Sequence, residues 1–244
     1  MLPVKIAGLG YYLPERRVTS SELLQAWAVP EGLVEHAAGV YARRYATTET
    51  TAGMAAAAAR RALENANISL DEIDAIIGAS TVPQQAIPCT AAFVQRELGA
   101  PDGGSVCFDV NATCLSFLVA LQNAAHLVAA GAYRNVLLFS SELGSRFLNP
   151  RQPQSSILFG DAAAAAVVTR ADFYETSAVH LTRFATYSSG ADYTQVVGGG
   201  TRHSPNDPAT TPEMNMFDMD GKAVFRQAVR LLPAFLDCFF TDAG

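Results

Sequence analysis

SVCFDVNATCLSFLVALQNAAHLVAA, residues 105–130, is the most informative stretch of this chain. SVCFDV (105–110) has the short, apolar character of a buried strand, and Asn111-Ala112-Thr113 makes a tight turn. CLSFLVALQNAAHLVAA (114–130) then gives a helix that is apolar nearly all round, stopped by Gly131. A helix of that composition is expected to be buried on most of its faces, inside a layered structure.

Elements of the same kind flank this block on both sides. VKIAGLG (4–10) and DAIIGAS (74–80) are expected as strands, and so are residues 135–140 and 162–169. Helices are expected over 20–27, over the alanine-rich run 48–65, and over 90–98, which Gly99 stops. Strands alternating with helices imply an α/β fold with a largely parallel sheet. Beyond about residue 170 the pattern changes to a strand at 178–187, a long Gly-, Ser- and Pro-rich loop over 188–216, and one helix over 222–240 that Pro233 kinks. The expected division is an N-terminal half, 1–170, and the beginning of a C-terminal half, 171–244.

Of the 244 residues, half are apolar and only 16% are charged, which excludes disorder and coiled coil. The net charge of −6 argues against a nucleic-acid partner held through phosphate contacts. No apolar run reaches 18 residues, and no export signal opens the chain, so a soluble cytoplasmic protein without a membrane partner is expected. The cysteines Cys89, Cys107, Cys114 and Cys238 show no CxxC spacing and no histidine cluster, so neither metal nor disulfide framework is expected.

Each cysteine is therefore core filler or a nucleophile. Cys114 stands where a buried strand turns directly into a buried helix, and the unsatisfied N–H groups of a helix start favour a thiolate. A thiolate there is suited to attack a thioester carbonyl, with its own backbone N–H stabilising the oxyanion. Cys89 also opens a helix but follows a loop, and ranks below Cys114. Cys107, Cys238 and His126 are expected in the core, and His203 on the surface.

DVNATCLSF (109–117) resembles the nucleophile motif of the β-ketoacyl-[acyl-carrier-protein] synthase III family, in the thiolase-like superfamily. SSILFGDAAAAAVV (155–168), FDMDGKAVFRQAV (217–229) and the N-terminal VKIAGLGYYLPERRVTSSEL are similar to further segments of that family, in the same order. The resemblance implies a thiolase-like αβαβα fold of two similar halves, the second incomplete in this chain, and a homodimer. It implies acyl transfer to Cys114, then decarboxylative condensation with a malonyl carrier protein, with acyl-coenzyme A or acyl-carrier protein as substrate and no resident cofactor. Ile87, on the loop 81–89, would reach the partner's acyl pocket, and Arg226 would lie on a carrier-protein docking helix.

The departures from the family bear on the same site. The family's catalytic His and Asn lie beyond the segment equivalent to Phe240, and neither His180 nor His203 matches them. The family's adenine-stacking Trp and Arg positions fall on Leu33 and Pro153, with Trp27 and Arg151 nearby but out of register. Arg151 is the remaining candidate for holding coenzyme A. Two other functions stay open: an acyltransferase or thioesterase using Cys114 alone, and a non-catalytic accessory subunit of a full-length synthase.

Overall fold

The computed structural model describes residues 1–29 and 38–244. In chain order the main elements are β1 (Val4–Tyr12), β2 (Arg16–Thr19), α1 (Ser20–Ala26), β3 (Ala42–Tyr45), α2 (Thr51–Ala66), β4 (Ala75–Gly78) and α3 (Thr90–Leu98). They continue with β5 (Val106–Asp109), α4 (Ser116–Ala129), β6 (Asn135–Leu143), α5 (Pro153–Ser156), β7 (Asp161–Arg170), β8 (Thr194–Gln195), β9 (Asp218–Met219) and α6 (Gly221–Ala243). The chain divides into two compact units. The first comprises residues 1–16, 46–143 and 161–182; the second comprises residues 17–45, 144–160 and 183–244.

The first unit is built on a five-stranded sheet in the order β1-β7-β6-β4-β5. Strand β4 runs parallel to both β5 and β6, whereas β7 is antiparallel to β6 and to β1. The sheet is therefore mixed, which corrects the expectation of a largely parallel one. Alternation of strand and helix holds only from β4 to β6; β7 follows β6 without a crossover helix on this sheet and so returns in the opposite sense.

Side chains alternate cleanly across the sheet. Ile76, Leu137, Phe139 and Val167 join one core with the alanines of α2 and with Ala91 and Val94 of α3. Ile77, Val136, Leu138 and Val168 join the opposite core with Ala120, Ala124, Ala125 and Val128 of α4. The alanine run of α2 allows a very close approach to β1: a Cβ added at Gly8 or Gly10 would sit 2.3 Å or 2.1 Å from a carbonyl oxygen of Ala62 or Ala58. Neither glycine can be replaced without moving the helix.

Only one line of α4 is buried in this way. Leu115 and Leu118, at its start, are about half exposed, and His126 is exposed rather than in the core. The apolar composition of the helix overstated how much of it the sheet covers. Of the strand expected at 178–187, a single bridge remains, Leu2 with Val179.

In the second unit β2 and β3 form one two-stranded sheet, and β8 and β9 form another within the stretch expected to be loop. Trp27 packs against Val18, Leu23 and Tyr45. Helix α6 runs through Pro233 as one helix of 23 residues, and its Cys238 is exposed, not core. No described helix is long and apolar enough to cross a membrane.

Candidate active site

The chemistry-bearing groups of the first unit gather at the carboxyl ends of β6, β4 and β5, the three mutually parallel strands. In open α/β sheets this is where ligands bind. Loop 79–89 leaves β4 after Gly78, the turn 110–115 leaves β5 after Asp109, and Glu142 stands near the end of β6. A cavity of about 300 Å³ opens between the two loops, lined among others by Gly78, Pro83, Cys89, Asp109 and Asn111.

Cys114 is exposed and lies in a short 3-10 turn (Thr113–Leu115) that leads into α4. The preceding residue, Thr113, has φ +54°, a left-handed conformation that is costly for a β-branched side chain. Local bonds hold it there. The Thr113 N–H donates to Asn111 Oδ1 (2.9 Å). The buried Ser116 hydroxyl donates to the Thr113 carbonyl (2.6 Å) and accepts from the Ala112 N–H (2.9 Å). Among the described residues the Cys114 N–H meets no backbone or side-chain acceptor. An exposed cysteine beside an amide with no protein acceptor is the arrangement that an acyl-transfer nucleophile needs.

Cys89 is placed differently. It is the N-cap of α3, but the first amides of that helix are already taken: Thr90 N–H and Ala91 N–H donate to the two oxygens of Asp109 (2.6 and 3.0 Å). The half-buried Cys89 sulfur itself lies 3.7 Å from the Cys107 carbonyl, as donor. Burial pushes the Cys107 thiol up, which keeps it protonated and packed against the core. Gly78 is what admits Asp109, since a Cβ there would meet Asp109 Oδ1 at 2.3 Å.

Ile87 is 81% exposed at the tip of its loop. The loop is tied at its root, where Thr81 N–H donates to Glu142 (2.5 Å) and Asn111 Nδ2 donates to the Thr81 carbonyl (2.9 Å). Further along, Gln84 N–H donates to Thr90 Oγ1 and Gln84 Oε1 accepts from the Ala52 N–H. Burial pushes the Glu142 carboxyl up, partly offset by the backbone N–H of Thr81.

In the second unit Arg151 borders a cavity of about 410 Å³ with Asn149, Gln195, Val197 and Met214, and its guanidinium is 3.3 Å from Glu213. Arg226 borders a cavity of about 260 Å³ with Tyr193, Gln227 and Arg230. Leu33 lies outside the described residues. Among the described residues no group of three or more His, Cys, Asp or Glu is placed to hold a metal ion.

The turn lies in the part of the chain that is similar to known proteins. The family model 3-Oxoacyl-[acyl-carrier-protein (ACP)] synthase III matches residues 108–190, which contain the turn. Beta-ketoacyl-[acyl-carrier-protein] synthase III 3 of Streptomyces coelicolor is 36% identical over 244 residues, covering 98% of this chain and 71% of that protein. The chain belongs to the 3-oxoacyl-[acyl-carrier-protein] synthase III family. Acetoacetyl CoA synthase NphT7 of Streptomyces sp. (strain CL190) is 34% identical, over 98% of this chain and 72% of its own length. The crystal structure of 3-oxoacyl-[acyl-carrier-protein] synthase III from Aquifex aeolicus superposes with a TM-score of 0.79 at 33% identity, covering 93% of this chain and 68% of that one. The fold is thus thiolase-like, and the enzyme class is that of the acyl-transferring condensing synthases, which need no resident cofactor.

The sequence had pointed to Cys114, Ile87, Arg151 and Arg226. It had not singled out Asn111, Glu142 or Arg230. For Arg230 the signal was available: it stands four residues after Arg226, one helical turn along α6.

Proposed function

We propose that this chain accepts an acyl group from a thioester on Cys114 and takes part in its condensation with a malonyl thioester. The Cys114 thiolate attacks the donor carbonyl, and the Cys114 N–H stabilises the oxyanion. The carbon–sulfur bond to the carrier then breaks, and the carrier leaves as a thiol. In the second half, loss of carbon dioxide from the malonyl thioester leaves an enolate carbon. That carbon attacks the acyl-Cys114 carbonyl and frees the sulfur. His126, His180 and His203 do not serve that second half in this reading; the His and Asn that do so in the family have no counterpart among residues 1–244.

Arg151 is assigned to the phosphates of an acyl-coenzyme A donor, in the cavity it borders. Arg226, with Arg230 one turn away, is assigned to an acidic carrier protein. A homodimer fits the exposed edge of the sheet: β5 is an edge strand, and its Val106 is about half exposed. Ile87 of each copy would then point into the partner's acyl site. Residues 1–170 form the nucleophile-bearing half in this reading and 171–244 the start of the second, and the setting is cytoplasmic fatty-acid synthesis.

The observation that carries the proposal is the exposed Cys114 beside its own amide, unused among the described residues, after a left-handed Thr113. Incubation with acyl-coenzyme A and malonyl thioester, followed by mass mapping and product analysis, tests it. An adduct on Cys114 plus a 3-oxoacyl product supports the condensing reaction. An adduct without decarboxylation would make the chain an acyltransferase or thioesterase. Absence of any adduct would leave the accessory subunit.

A further inference from the structure

We propose that Asn111 is a positioning residue that locks the turn presenting Cys114 to the root of the loop carrying Ile87, so that the two loops bordering the cavity are set together. The inference rests on Cys114 being the nucleophile.

Both ends of the Asn111 amide are used. Nδ2 donates to the Thr81 carbonyl at 2.9 Å, and Oδ1 accepts from the Thr113 N–H at 2.9 Å. The partners fix which end is which, since a carbonyl needs a donor and an amide N–H an acceptor. On the far side of Thr81, its own N–H donates to Glu142 at 2.5 Å. A continuous polar chain therefore runs Glu142–Thr81–Asn111–Thr113 and ends one residue before Cys114. It links the ends of β6, β4 and β5.

Two features make this more than incidental. Thr113 holds a left-handed φ of +54°, which persists only when its surroundings over-determine it. Asn111 supplies one of the bonds that do so. Asn111 is also exposed, so it fills no core, and its removal opens no cavity in the packing. Of the uncharged side chains of this length, only an amide both donates and accepts at this spacing. Aspartate keeps the acceptor for Thr113 but places an oxygen against the Thr81 carbonyl. Alanine keeps neither bond.

The variants Asn111→Ala, Asn111→Asp and Glu142→Gln, with the double variant Asn111→Asp/Glu142→Gln, separate these contributions in the full chain. The readout is the second-order rate of iodoacetamide labelling at Cys114, mapped by mass. Exposed Cys238, in the other unit, serves as the internal control. We expect Asn111→Ala to slow Cys114 about tenfold with Cys238 unchanged, near the worth of one hydrogen bond. Asn111→Asp recovers only part of that loss and stays about fourfold below the parent, because Thr113 is still held while the link to Thr81 is cut. Glu142→Gln slows Cys114 about threefold in the parent and has no effect in the Asn111→Asp background, where the chain is already cut.

A Cys114 rate in Asn111→Ala within twofold of the parent overturns the inference. So does a Glu142→Gln effect of equal size in both backgrounds. If Asn111→Ala does not fold, that second comparison alone decides. An inert Cys114 in the parent, beside a labelled Cys238, overturns the nucleophile assignment and the inference with it.

Discussion

Cys89 and Cys114 occupy matching places in one unit. Each follows the carboxyl end of a parallel strand and stands at or just before the start of a helix. Their surroundings differ in one respect that matters. At Cys89 the helix amides are given to the Asp109 carboxylate, and the thiol points at the Cys107 carbonyl. At Cys114, among the described residues, no carboxylate caps the turn and the N–H is unused, and the residue is exposed. A helix start is thus not a nucleophile site by position. It becomes one when nothing in the protein has already consumed its donors.

That contrast can be broken most severely by removing the sulfurs. Cys114→Ala should abolish covalent acylation by an acyl thioester, a loss of at least about a thousandfold, whereas Cys89→Ala retains it within about threefold. Intact-mass measurement after mixing reads both. The next largest effect is on the scaffold. Gly78→Ala drives a methyl against Asp109 and Phe139, and should lower stability by about 2 kcal/mol, read by denaturant unfolding.

Asp109→Ala sharpens the comparison from the other side. It frees the α3 amides beside Cys89, costs about 1 kcal/mol as a lost helix cap, and should raise Cys89 labelling severalfold while Cys114 changes less. Similar acceleration at both sulfurs would undo the distinction.

The smallest expected effect concerns Glu142, whose carboxyl is held above its ordinary value by burial. A raised folded pKa means the folded state binds the proton more readily. This group's contribution is therefore full below the unfolded value, falls as pH rises through the folded value, and is flat above it. Glu142→Gln lacks this titration, so its stability relative to the parent should improve between acid and neutral pH, read as melting temperatures across that range.

The layers were legible because they follow from local pattern. The continuous apolar runs of β4 and β6 and the alanine run of α2 announce a sheet with helices against it, and Gly99 and Gly131 mark where helices stop. The antiparallel return of β7 was not legible, because strand direction depends on the connection after β6 rather than on the strand's own residues. Composition misplaced His126 and Cys238: His126 faces away from the covered line of α4, and α6, though apolar, buries only Ala223. Cys114 was readable as a strand-to-helix junction with a family motif around it. Asn111 and Glu142 were not, since their partner Thr81 is 30 and 61 residues distant in the chain. Only the strand order β6-β4-β5 brings the three loop roots together.

Acyl-coenzyme A mixed with the full chain, followed by quenching on the timescale of seconds and fragmentation of the modified peptide, probes whether the free amide at residue 114 makes that sulfur the acceptor. The acyl mass is expected on Cys114 first and on no other cysteine until Cys114 is full. An acyl group found on Cys89 ahead of Cys114, or equal occupancy of all four sulfurs, would contradict it.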